Sequence, residues 1–208
     1  MTHASSFCGV VLAAGASSRM GRDKALLPWP PAAERPGTFL SGAIELLHPV
    51  SDLVVVVVGE NAPRLAPTII ALSAYEVRNP QPEDGQFSSL RLGLQEVLNR
   101  GRDAAIVALV DRPPARAATV QRLRQTYLDA GHEVWAVVPE HHGRHGHPIV
   151  VGREMISAFL QAPATGNARD VEHANQAHIL YLPVDDPLVV ANVDAPEDYD
   201  RLMASLRA

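Results

Sequence analysis

The sequence has a single cysteine, Cys8, in 208 residues. One thiol makes neither an intramolecular disulfide nor a cysteine metal cluster, so disulfide scaffolds and zinc clusters built from several cysteines are excluded. Cys8 lies at the start of an apolar run. We therefore expect it to be a small buried residue of a strand rather than a reactive thiol.

Long hydrophobic runs are also missing. Gly9–Gly15 and Leu53–Gly59 are far shorter than the about 20 residues that a membrane helix needs, and Met1–Phe7 contains no Lys or Arg to begin a secretory signal. The net charge of −5 gives no general attraction to nucleic acid or anionic membranes. We expect a cytoplasmic protein without nucleic acid or membrane partners, in which a local cluster of donors holds any anionic ligand.

Short apolar runs alternate with helical patterns along the chain. The runs that predict strands are Gly9–Ala14, Leu53–Val58, Tyr75–Arg78, Ala104–Val110 and Glu133–Val138. Apolar residues at helical spacing predict helices in Leu40–Leu47, Ser88–Leu98 and Ala117–Ala130, with Ser88 or Ser89 as the N-cap of the second.

Continuous apolar strands without alternation are typical of parallel sheets that are covered on both faces. We therefore predict an α/β three-layer sandwich with a mostly parallel, doubly covered sheet, formed by residues 1–208 as one domain. The proline-rich stretch Pro28–Pro36 indicates a surface loop. In such a sheet the ligand crevice lies beyond the carboxyl ends of the strands.

A loop of small residues and cations follows the first strand, from Leu12 to Lys24. Small residues let the backbone approach a polyphosphate and direct N–H groups at it, and we expect Arg19 and Lys24 on an exposed loop to add charge. The spacing fits neither the dinucleotide fingerprint nor the P-loop, which needs Gly-Lys-Ser/Thr where this chain has Gly21-Arg22-Asp23-Lys24. Taken alone, the loop is also compatible with a strand-to-helix turn that carries two surface cations.

The string LAAGASSRMGRDK resembles the signature L-A-A-G-x-S-x-R-M-G-x-x-K of nucleotidyltransferases that activate a phosphorylated acceptor, and most of all that of the molybdenum cofactor nucleotidyltransferases. The resemblance implies a nucleotide-diphospho-sugar transferase-like variant of the Rossmann fold and a bound nucleoside triphosphate with Mg²⁺. It assigns catalytic roles to Arg19 and Lys24. The residues of the loop that it assigns to nucleotide binding are Leu12, Ala13, Ala14, Gly15, Arg19 and Lys24.

Two later segments extend the resemblance on the nucleotide and metal side. Asn79-Pro80 with Gly85–Leu94 looks like the family's N-P…G-M-S-S-S-L-x-x-G-L segment, which helps to hold base and ribose. That similarity assigns nucleotide binding to Asn79, Gly85, Ser88 and Ser89. Asp111-Arg112-Pro113 looks like the family's D-Q-P metal motif and makes Asp111 a catalytic residue and a metal ligand, although Arg112 replaces the usual glutamine.

Two further segments resemble acceptor-side and metal-side motifs. Gly146–Val150 is similar to G-H-P-V and implies that His147, together with Arg112, binds the acceptor. Asn192–Tyr199 is similar to D-I-D-T-P-E-D-L; because Asn192 replaces the first aspartate, Asp194 becomes the second carboxylate for Mg²⁺. The family's G-D-x-G-A-R segment survives only as Thr165–Arg169, which leaves acceptor binding by Arg169 in doubt.

Simpler structural roles stay open for several of these residues. Asp111 would serve as an N-cap of the helix after Pro113, and Asp194 as a cap of a helix starting near Pro196. The histidines of residues 141–147 raise a separate question, whether they form a zinc site. That stretch lacks a helical His-x₃-His frame, so we expect a solvated loop from which His147 alone faces the acceptor.

The resemblance implies transfer of a nucleotide to the terminal phosphate of the molybdenum-pterin cofactor, with release of pyrophosphate. A phosphate monoester is already mostly a dianion at pH 7, so no general base is needed. Ala13-Ala14-Gly15 is typical of the cytidylyl branch and favours CTP, whereas Gly21–Leu27 is close to the guanylyl version.

The alternatives are guanylyl transfer from GTP to the same cofactor, a sugar- or polyol-phosphate nucleotidyltransferase, and a non-catalytic carrier that delivers cofactor to a client molybdoenzyme. The loop lacks the x-x-P-K ending that is common among the sugar enzymes. Retention of both cations and both carboxylates favours an enzyme over a carrier.

Overall fold

The computed structural model describes residues 6–30 and 37–206. Most of the surface loop predicted for Pro28–Pro36 lies outside these residues. The described strands are β1 (Phe7–Leu12), β2 (Pro28–Trp29), β3 (Gly37–Thr38), β4 (Leu53–Val58), β5 (Tyr75–Arg78), β6 (Ala104–Leu109), β7 (Ala136–His141), β8 (Arg144–His145), β9 (Ile149–Gly152) and β10 (Ile179–Pro183). The described helices are α1 (Phe39–Leu47), α2 (Ala62–Ala71), α3 (Gln86–Asn99), α4 (Ala117–Asp129), α5 (Arg153–Gln161), α6 (Ala168–Ala174) and α7 (Pro196–Ser205).

Eight of these strands form one sheet in the order β10-β7-β9-β6-β1-β4-β5, with β8 paired to β7. β1 is parallel to both β4 and β6, β4 is parallel to β5, and β7 is parallel to β10. β9 runs antiparallel between β6 and β7. The predicted α/β fold with a mostly parallel sheet is therefore confirmed, and β9 is an antiparallel insertion that four apolar residues did not reveal.

Helices cover both faces of this sheet, as the continuous apolar strands predicted. On one face, Val11 belongs to the same core as the buried side chains of α1, α2 and α4. On the other, Val10 and Leu12 share a core with α3 and α5. β1 thus alternates its side chains between two buried layers, which explains why its sequence shows no polar alternation.

Three predicted boundaries differ from the structure by two residues or more. The first strand, predicted for Gly9–Ala14, spans Phe7–Leu12. The strand predicted for Glu133–Val138 begins three residues later, because residues 131–134 form a turn in which the Val134 amide donates to the Gly131 carbonyl at 3.0 Å. The N-cap expected at Ser88 or Ser89 is wrong: α3 starts at Gln86, and Gly85 is its N-cap with φ 91°. Glycine tolerates this positive φ, so the helix begins one turn earlier.

The carboxyl ends of β1, β4 and β6 meet at one edge of the sheet because these strands are parallel. A third, smaller apolar cluster lies beside this edge and joins the loop after β1 to α7; its buried members are Met20, Leu27, Phe39, Val193, Tyr199 and Met203. The Tyr199 hydroxyl donates to the Pro28 carbonyl at 3.0 Å. This packing brings the segment before α7 to the loop after β1. No helix in the described ranges is long and apolar enough to cross a membrane.

Candidate active site

The loop after β1 has a defined conformation built on two residues with positive φ. Ser17 (φ 51°) and Gly21 (φ 66°) flank a short 3₁₀ turn, Ser18–Met20. The Ser17 hydroxyl oxygen accepts a hydrogen bond from the Lys24 backbone amide at 3.0 Å, and the buried Met20 side chain anchors the turn in the small apolar cluster. The loop is therefore closed on itself, with Lys24 at its far end.

Both predicted cations face the same carboxylate. The Lys24 ammonium donates to Asp194 Oδ1 at 2.9 Å, and Arg19 Nη2 donates to the same oxygen at 3.2 Å. The Arg19 side chain is 73% exposed, as expected, but that of Lys24 is only 11% exposed, so the expectation of an exposed lysine is wrong. The hydrogen bond from Lys24 and the charges of Lys24 and Arg19 hold the pKa of Asp194 below its usual range.

Asp111 follows β6 by two residues, and its main chain contacts the segment that carries Asp194. The Val193 amide donates to the Asp111 carbonyl at 2.8 Å. Within the described part of the chain, Asp111 Oδ1 is buried and has no hydrogen-bond partner. Burial raises the pKa of Asp111, the charges of Lys24 and Arg112 oppose that shift, and the charge of Asp194 adds to it.

Neither carboxylate is a helix cap, so the simpler structural roles considered for them are wrong. The N-cap of α4 is Arg116, five residues after Asp111. At the start of α7, Asp198 Oδ2 accepts the amides of Asp194 and Ala195, each at 2.9 Å. The Asp194 carboxylate is thereby left to the two cations and to the side-chain amide of Asn192, which donates to its Oδ2.

One cavity of about 150 Å³ collects the predicted phosphate and metal residues, and it is lined by Leu12, Gly15, Ser17, Arg19, Lys24, Gln86, Val110, Asp111 and Asp194. Ser17, Gln86 and Val110 were not predicted as site residues. Gln86 lies in the first turn of α3 beside the cavity, because the helix starts directly after its N-cap Gly85, earlier than predicted.

The donor set of this cavity fits a hard cation of the magnesium type. Mg²⁺ takes oxygen ligands, usually one or two carboxylates together with substrate phosphates and water. Among the described residues, no three His, Cys, Asp or Glu side chains form a cluster able to hold a metal. Asp111, with its unpartnered oxygen, and Asp194 therefore offer the two carboxylates that such a site uses.

The residues predicted to hold base and ribose gather at the start of α3, where they bond to one another. The Asn79 side-chain amide donates to the hydroxyl oxygens of Ser88 and Ser89, both at 2.9 Å. The Ser88 hydroxyl in turn donates to the Gly85 carbonyl at 2.8 Å. This network shapes the turn between β5 and α3. The added methyl group of a residue at Gly85 would meet open space, so the glycine is required by its φ and not by crowding.

His147 and Arg112 lie together and line the same cavity. The His147 amide and Arg112 Nη1 both donate to the Val189 carbonyl, at 2.9 and 3.1 Å. His147 Nδ1 and Arg112 Nε are buried without a partner in the described residues. Burial, together with the charge of Arg112, lowers the pKa of His147 to about 3, so the ring is neutral at pH 7.

Two larger cavities meet at His147. One, of about 410 Å³, extends past Gly85 and Gln86 towards Leu12. The other, of about 480 Å³, includes Arg112 and Tyr181. Arg169 and Glu172 line both cavities. Arg169, whose acceptor role was in doubt from the altered motif, therefore lies on the same side of the molecule as His147.

The histidine-rich stretch is exposed to solvent at residues 142–145, as its composition suggested, but it forms a hairpin and not an irregular loop. β7 and β8 form a hairpin whose two turn residues, His142 (φ 49°) and Gly143 (φ 74°), have the positive φ values of a tight turn. The His145 ring stacks on Tyr181 with centroids 3.9 Å apart, and His141 Nδ1 lies 2.9 Å from the Val184 carbonyl. Stacking and backbone contacts thus fix histidines that have no metal-binding arrangement in the described residues.

The first strand of this α/β sheet leads into a loop of small residues, and beyond it the two cations and the two carboxylates line one cavity, an arrangement that suits a nucleotidyltransferase. Residues 9–178 match the model of the MobA-like NTP transferase domain. The chain belongs to that family.

Relatives of known name cover nearly the whole chain. It is 23% identical over 191 residues to the molybdenum cofactor cytidylyltransferase of Escherichia coli K12 (91% of this chain, 92% of the relative). It is 28% identical over 211 residues to the probable molybdenum cofactor guanylyltransferase of Mycobacterium avium strain 104, covering both chains fully (100% of each). The family resemblance is confirmed, and the relatives divide between the cytidylyl and guanylyl reactions.

Solved structures agree with the fold. The crystal structure of Rv0371c from Mycobacterium tuberculosis H37Rv superposes with a TM-score of 0.80 at 26% identity, over 98% of this chain and 100% of that one. A crystal structure of Rv0371c in complex with manganese gives a TM-score of 0.76 at 24% identity, over 97% of this chain and 100% of that one.

Proposed function

We propose that this nucleotidyltransferase moves a cytidylyl group from CTP to the terminal phosphate of the molybdenum-pterin cofactor and releases pyrophosphate. One observation carries the proposal. Asp111 and Asp194, which lie 83 residues apart in sequence, both reach the cavity that holds Lys24 and Arg19, directly beyond the glycine-containing loop.

The nucleotide would lie on the loop side of this cavity. Leu12 and Gly15 line it directly, and Ala13 and Ala14 connect them. The triphosphate would take the Lys24 ammonium and the Arg19 guanidinium, two charge-assisted donors. These cations now neutralise Asp194, so bound phosphates would draw them away and free that carboxylate.

Asp111 and Asp194 would hold Mg²⁺. The bound ion would neutralise charge that develops on the phosphates during transfer. The manganese complex of Rv0371c supports a divalent cation in this fold. The contribution of the chain itself is positioning: in phosphoryl transfer most of the catalysis comes from positioning and charge stabilisation, and the same reasoning applies to attack on the α-phosphorus.

The acceptor would approach from the cavities around His147. The unpartnered Nδ1 of this neutral imidazole and the unpartnered Nε of Arg112 are polar atoms that a ligand would satisfy. Arg169 adds a second guanidinium on the same wall. Cavities of a few hundred Å³ fit a ligand of pterin size. A phosphate dianion needs no general base, so no residue has that role here.

Contacts to the base would come from the network at the start of α3, formed by Asn79, Gly85, Ser88 and Ser89. This start of α3 borders the cavity that holds Lys24 and Asp111 through Gln86. The Ala13-Ala14 pair, in place of the Ala-Gly of guanylyl enzymes, favours CTP. Gly21–Leu27 and the guanylyl relatives favour GTP as the second candidate.

The deciding experiment measures pyrophosphate release with each of the four nucleoside triphosphates, Mg²⁺ and purified molybdenum-pterin cofactor. We expect CTP to give the fastest release and the largest rise in melting temperature; a ligand at about 100 times its dissociation constant stabilises the fold by about 2.7 kcal/mol. Faster release with GTP would place the chain in the guanylyl branch.

Controls in the same assay separate the remaining alternatives. Pyrophosphate release with a sugar phosphate or polyol phosphate instead of the cofactor would show that the proposed acceptor is wrong. Binding of the cofactor without pyrophosphate release from any nucleotide would indicate a carrier. A client molybdoenzyme and a cytoplasmic location stay predictions.

A further inference from the structure

The loop that carries Lys24 is fastened from behind by a buried carboxylate, that of Asp23. We propose that Asp23 is a positioning residue that acts through Lys24; its effect on transfer rests on the proposed function. The Asp23 side chain is 3% exposed and does not line the cavity that holds Lys24. Any influence it has on the reaction must therefore pass through the loop.

Three donors satisfy the Asp23 carboxylate. Its Oδ1 accepts the Ala25 amide at 3.1 Å, which caps the short 3₁₀ turn Lys24–Leu26. Its Oδ2 accepts the Asn61 side-chain amide at 2.9 Å and Arg64 Nη2 at 3.3 Å. The Arg64 side chain is 63% exposed, so water competes for that ion pair and the bond from Asn61 is the dominant one.

Asn61 ties both ends of the loop to the end of β4. Its side-chain nitrogen donates to the Ala13 carbonyl at 2.9 Å, where the loop begins, and to Asp23, where the loop ends. Its side-chain oxygen accepts the Gly59 amide at 3.1 Å. The side-chain oxygen and nitrogen of Asn61 are thus both hydrogen-bonded inside the protein, and Asn61 itself is buried.

The consequence is a fixed starting point for the Lys24 side chain. The cap from Asp23 fixes the turn that Lys24 begins, and the bond from the Lys24 amide to Ser17 closes the loop. From there the ammonium reaches Asp194 at 2.9 Å. Lys24 is the only lysine of the chain, so no other ammonium can replace it.

Asp23→Asn is the diagnostic change because it keeps the size and one oxygen. That oxygen can still cap the turn at Ala25. The new NH₂ group, however, faces the amide nitrogen of Asn61 and the guanidinium of Arg64, which are both donors. The end of the loop that carries residue 23 must therefore move away from these two donors. A displacement of about 1 Å at a reacting site costs up to about 100-fold in rate. We expect kcat/KM to fall by about 10- to 100-fold.

Asp186→Asn is a matched control for the loss of a buried, capping aspartate. Asp186 is 1% exposed and also caps a 3₁₀ turn, accepting the Leu188 amide at 3.1 Å. Its second oxygen accepts the Arg116 amide and the Thr119 hydroxyl, both at 2.8 Å. This variant loses a comparable set of contacts without touching the Lys24 loop.

The first measurement follows Lys24 directly. Because the chain has no other lysine, the peptide that contains Lys24 reports the rate of acylation by an amine-reactive ester without interference from another side chain. Each variant is labelled at one pH and at the same interval below its own melting temperature. We expect Asp23→Asn to label several-fold faster than the unmodified protein, and Asp186→Asn to stay within twofold of it. Equal labelling of the two variants would overturn the inference.

The second measurement is a double-mutant cycle in kcat/KM with Lys24→Ala. If Asp23 acts through Lys24, Asp23→Asn combined with Lys24→Ala is no slower than Lys24→Ala alone. Losses that multiply would mean that Asp23 acts independently, and the inference would be wrong. If the unmodified protein transfers no nucleotide at all, the proposed function fails, while the labelling rates still decide whether Asp23 positions Lys24.

Discussion

Replacing Asp111 by asparagine separates a metal ligand from a structural carboxylate more sharply than any other substitution in this chain. The change keeps the size of the side chain. It also keeps the bond from the Val193 amide, because that bond is accepted by the Asp111 main chain. Since Asp111 Oδ1 has no partner in the described residues, no protein hydrogen bond is lost at that atom.

The effect on stability follows from the direction of the pKa shift. Burial raises the pKa of folded Asp111 above the value of 3.8 for a free side chain, and the attraction of Lys24 and Arg112 only partly opposes it. The folded protein therefore binds this proton more tightly than the unfolded chain does. Stability is lost as the pH rises from the unfolded pKa through the folded one, and at neutral pH the ionised side chain is a cost.

Asparagine does not ionise and avoids that cost. We expect the metal-free variant to be as stable as the unmodified protein or more stable by up to about 1 kcal/mol. For a chain of this size that corresponds to a rise in melting temperature of about 2–4 °C.

Transfer should respond in the opposite direction. Loss of one charged oxygen ligand removes metal stabilisation of several kcal/mol, and about 4 kcal/mol is already about a thousandfold in rate. The Mg²⁺-dependent part of the stabilisation by nucleotide should vanish as well. The assay is a Mg²⁺ titration of CTP turnover beside melting curves with and without nucleotide.

Asp103→Asn is the matched control. Asp103 precedes the same strand, β6, at the opposite edge of the sheet, where it pairs with Arg153 at 3.2 Å on the exposed surface. Its removal should change neither turnover nor the melting temperature measurably. An Asp111→Asn protein that melts clearly earlier but turns over normally would refute the assignment, because the carboxylate would then be structural.

The remaining predictions concern the cations, the acceptor and the pH dependence. Lys24→Ala and Arg19→Ala should each lower turnover by about 10²–10³-fold, but only Lys24→Ala should also lower the melting temperature, because its ammonium is shielded from solvent; normal turnover would make either residue a surface cation. His147→Ala should raise KM for the pterin acceptor and leave the melting shift with nucleotide unchanged, and a reduced shift would contradict its place on the acceptor side. The acid limb of kcat/KM should follow the raised pKa of Asp111 and move to lower pH as Mg²⁺ is increased, since metal and proton compete for one carboxylate; a limb independent of Mg²⁺ would argue against this. Mg²⁺ without nucleotide should shift the melting temperature less than Mg²⁺ with CTP, because Lys24 and Arg19 already neutralise Asp194, and equal shifts would mean that this pairing does not oppose the metal.

The sequence predicts the central strands and the cation loop well because local patterns encode both. β1, β4 and β6 are continuous apolar runs, and a run of this kind identifies itself without knowledge of its neighbours. Asp111 was assigned by its resemblance to the family's metal motif, and it lies two residues after such a strand, so its role stays a prediction. Asp23 carried a weaker signal, a capping residue directly before the lysine, which the sequence interpretation passed over.

The features that were missed depend on contacts between distant segments. β9 joins the sheet only through antiparallel pairing with β6 and β7, and a run of four apolar residues does not predict this pairing. α3 starts where Gly85 adopts a positive φ, whereas two serines further on give the more familiar capping signal. The histidine hairpin is fixed by the stacking of His145 on Tyr181, a residue 36 positions away. Such pairings become visible only once the sheet is assembled.

The two carboxylates of the site differ in a way that assigns them different parts in binding. Asp194 is partly exposed and already paired with Lys24 and Arg19, so the protein without ligands balances this charge by itself. Within the described part of the chain, Asp111 has a buried oxygen without a hydrogen-bond partner and a raised pKa, which is the less stable of the two arrangements. The buried oxygen of Asp111 would gain from a cation directly. Asp194 is already neutralised, so it would first have to release Lys24 and Arg19. A bound triphosphate would cause that release, because it would offer Lys24 and Arg19 more negative charge than one carboxylate does. On the proposed function, nucleotide and metal would therefore complete a single site together, and Lys24 would exchange one anionic partner for the other as they bind.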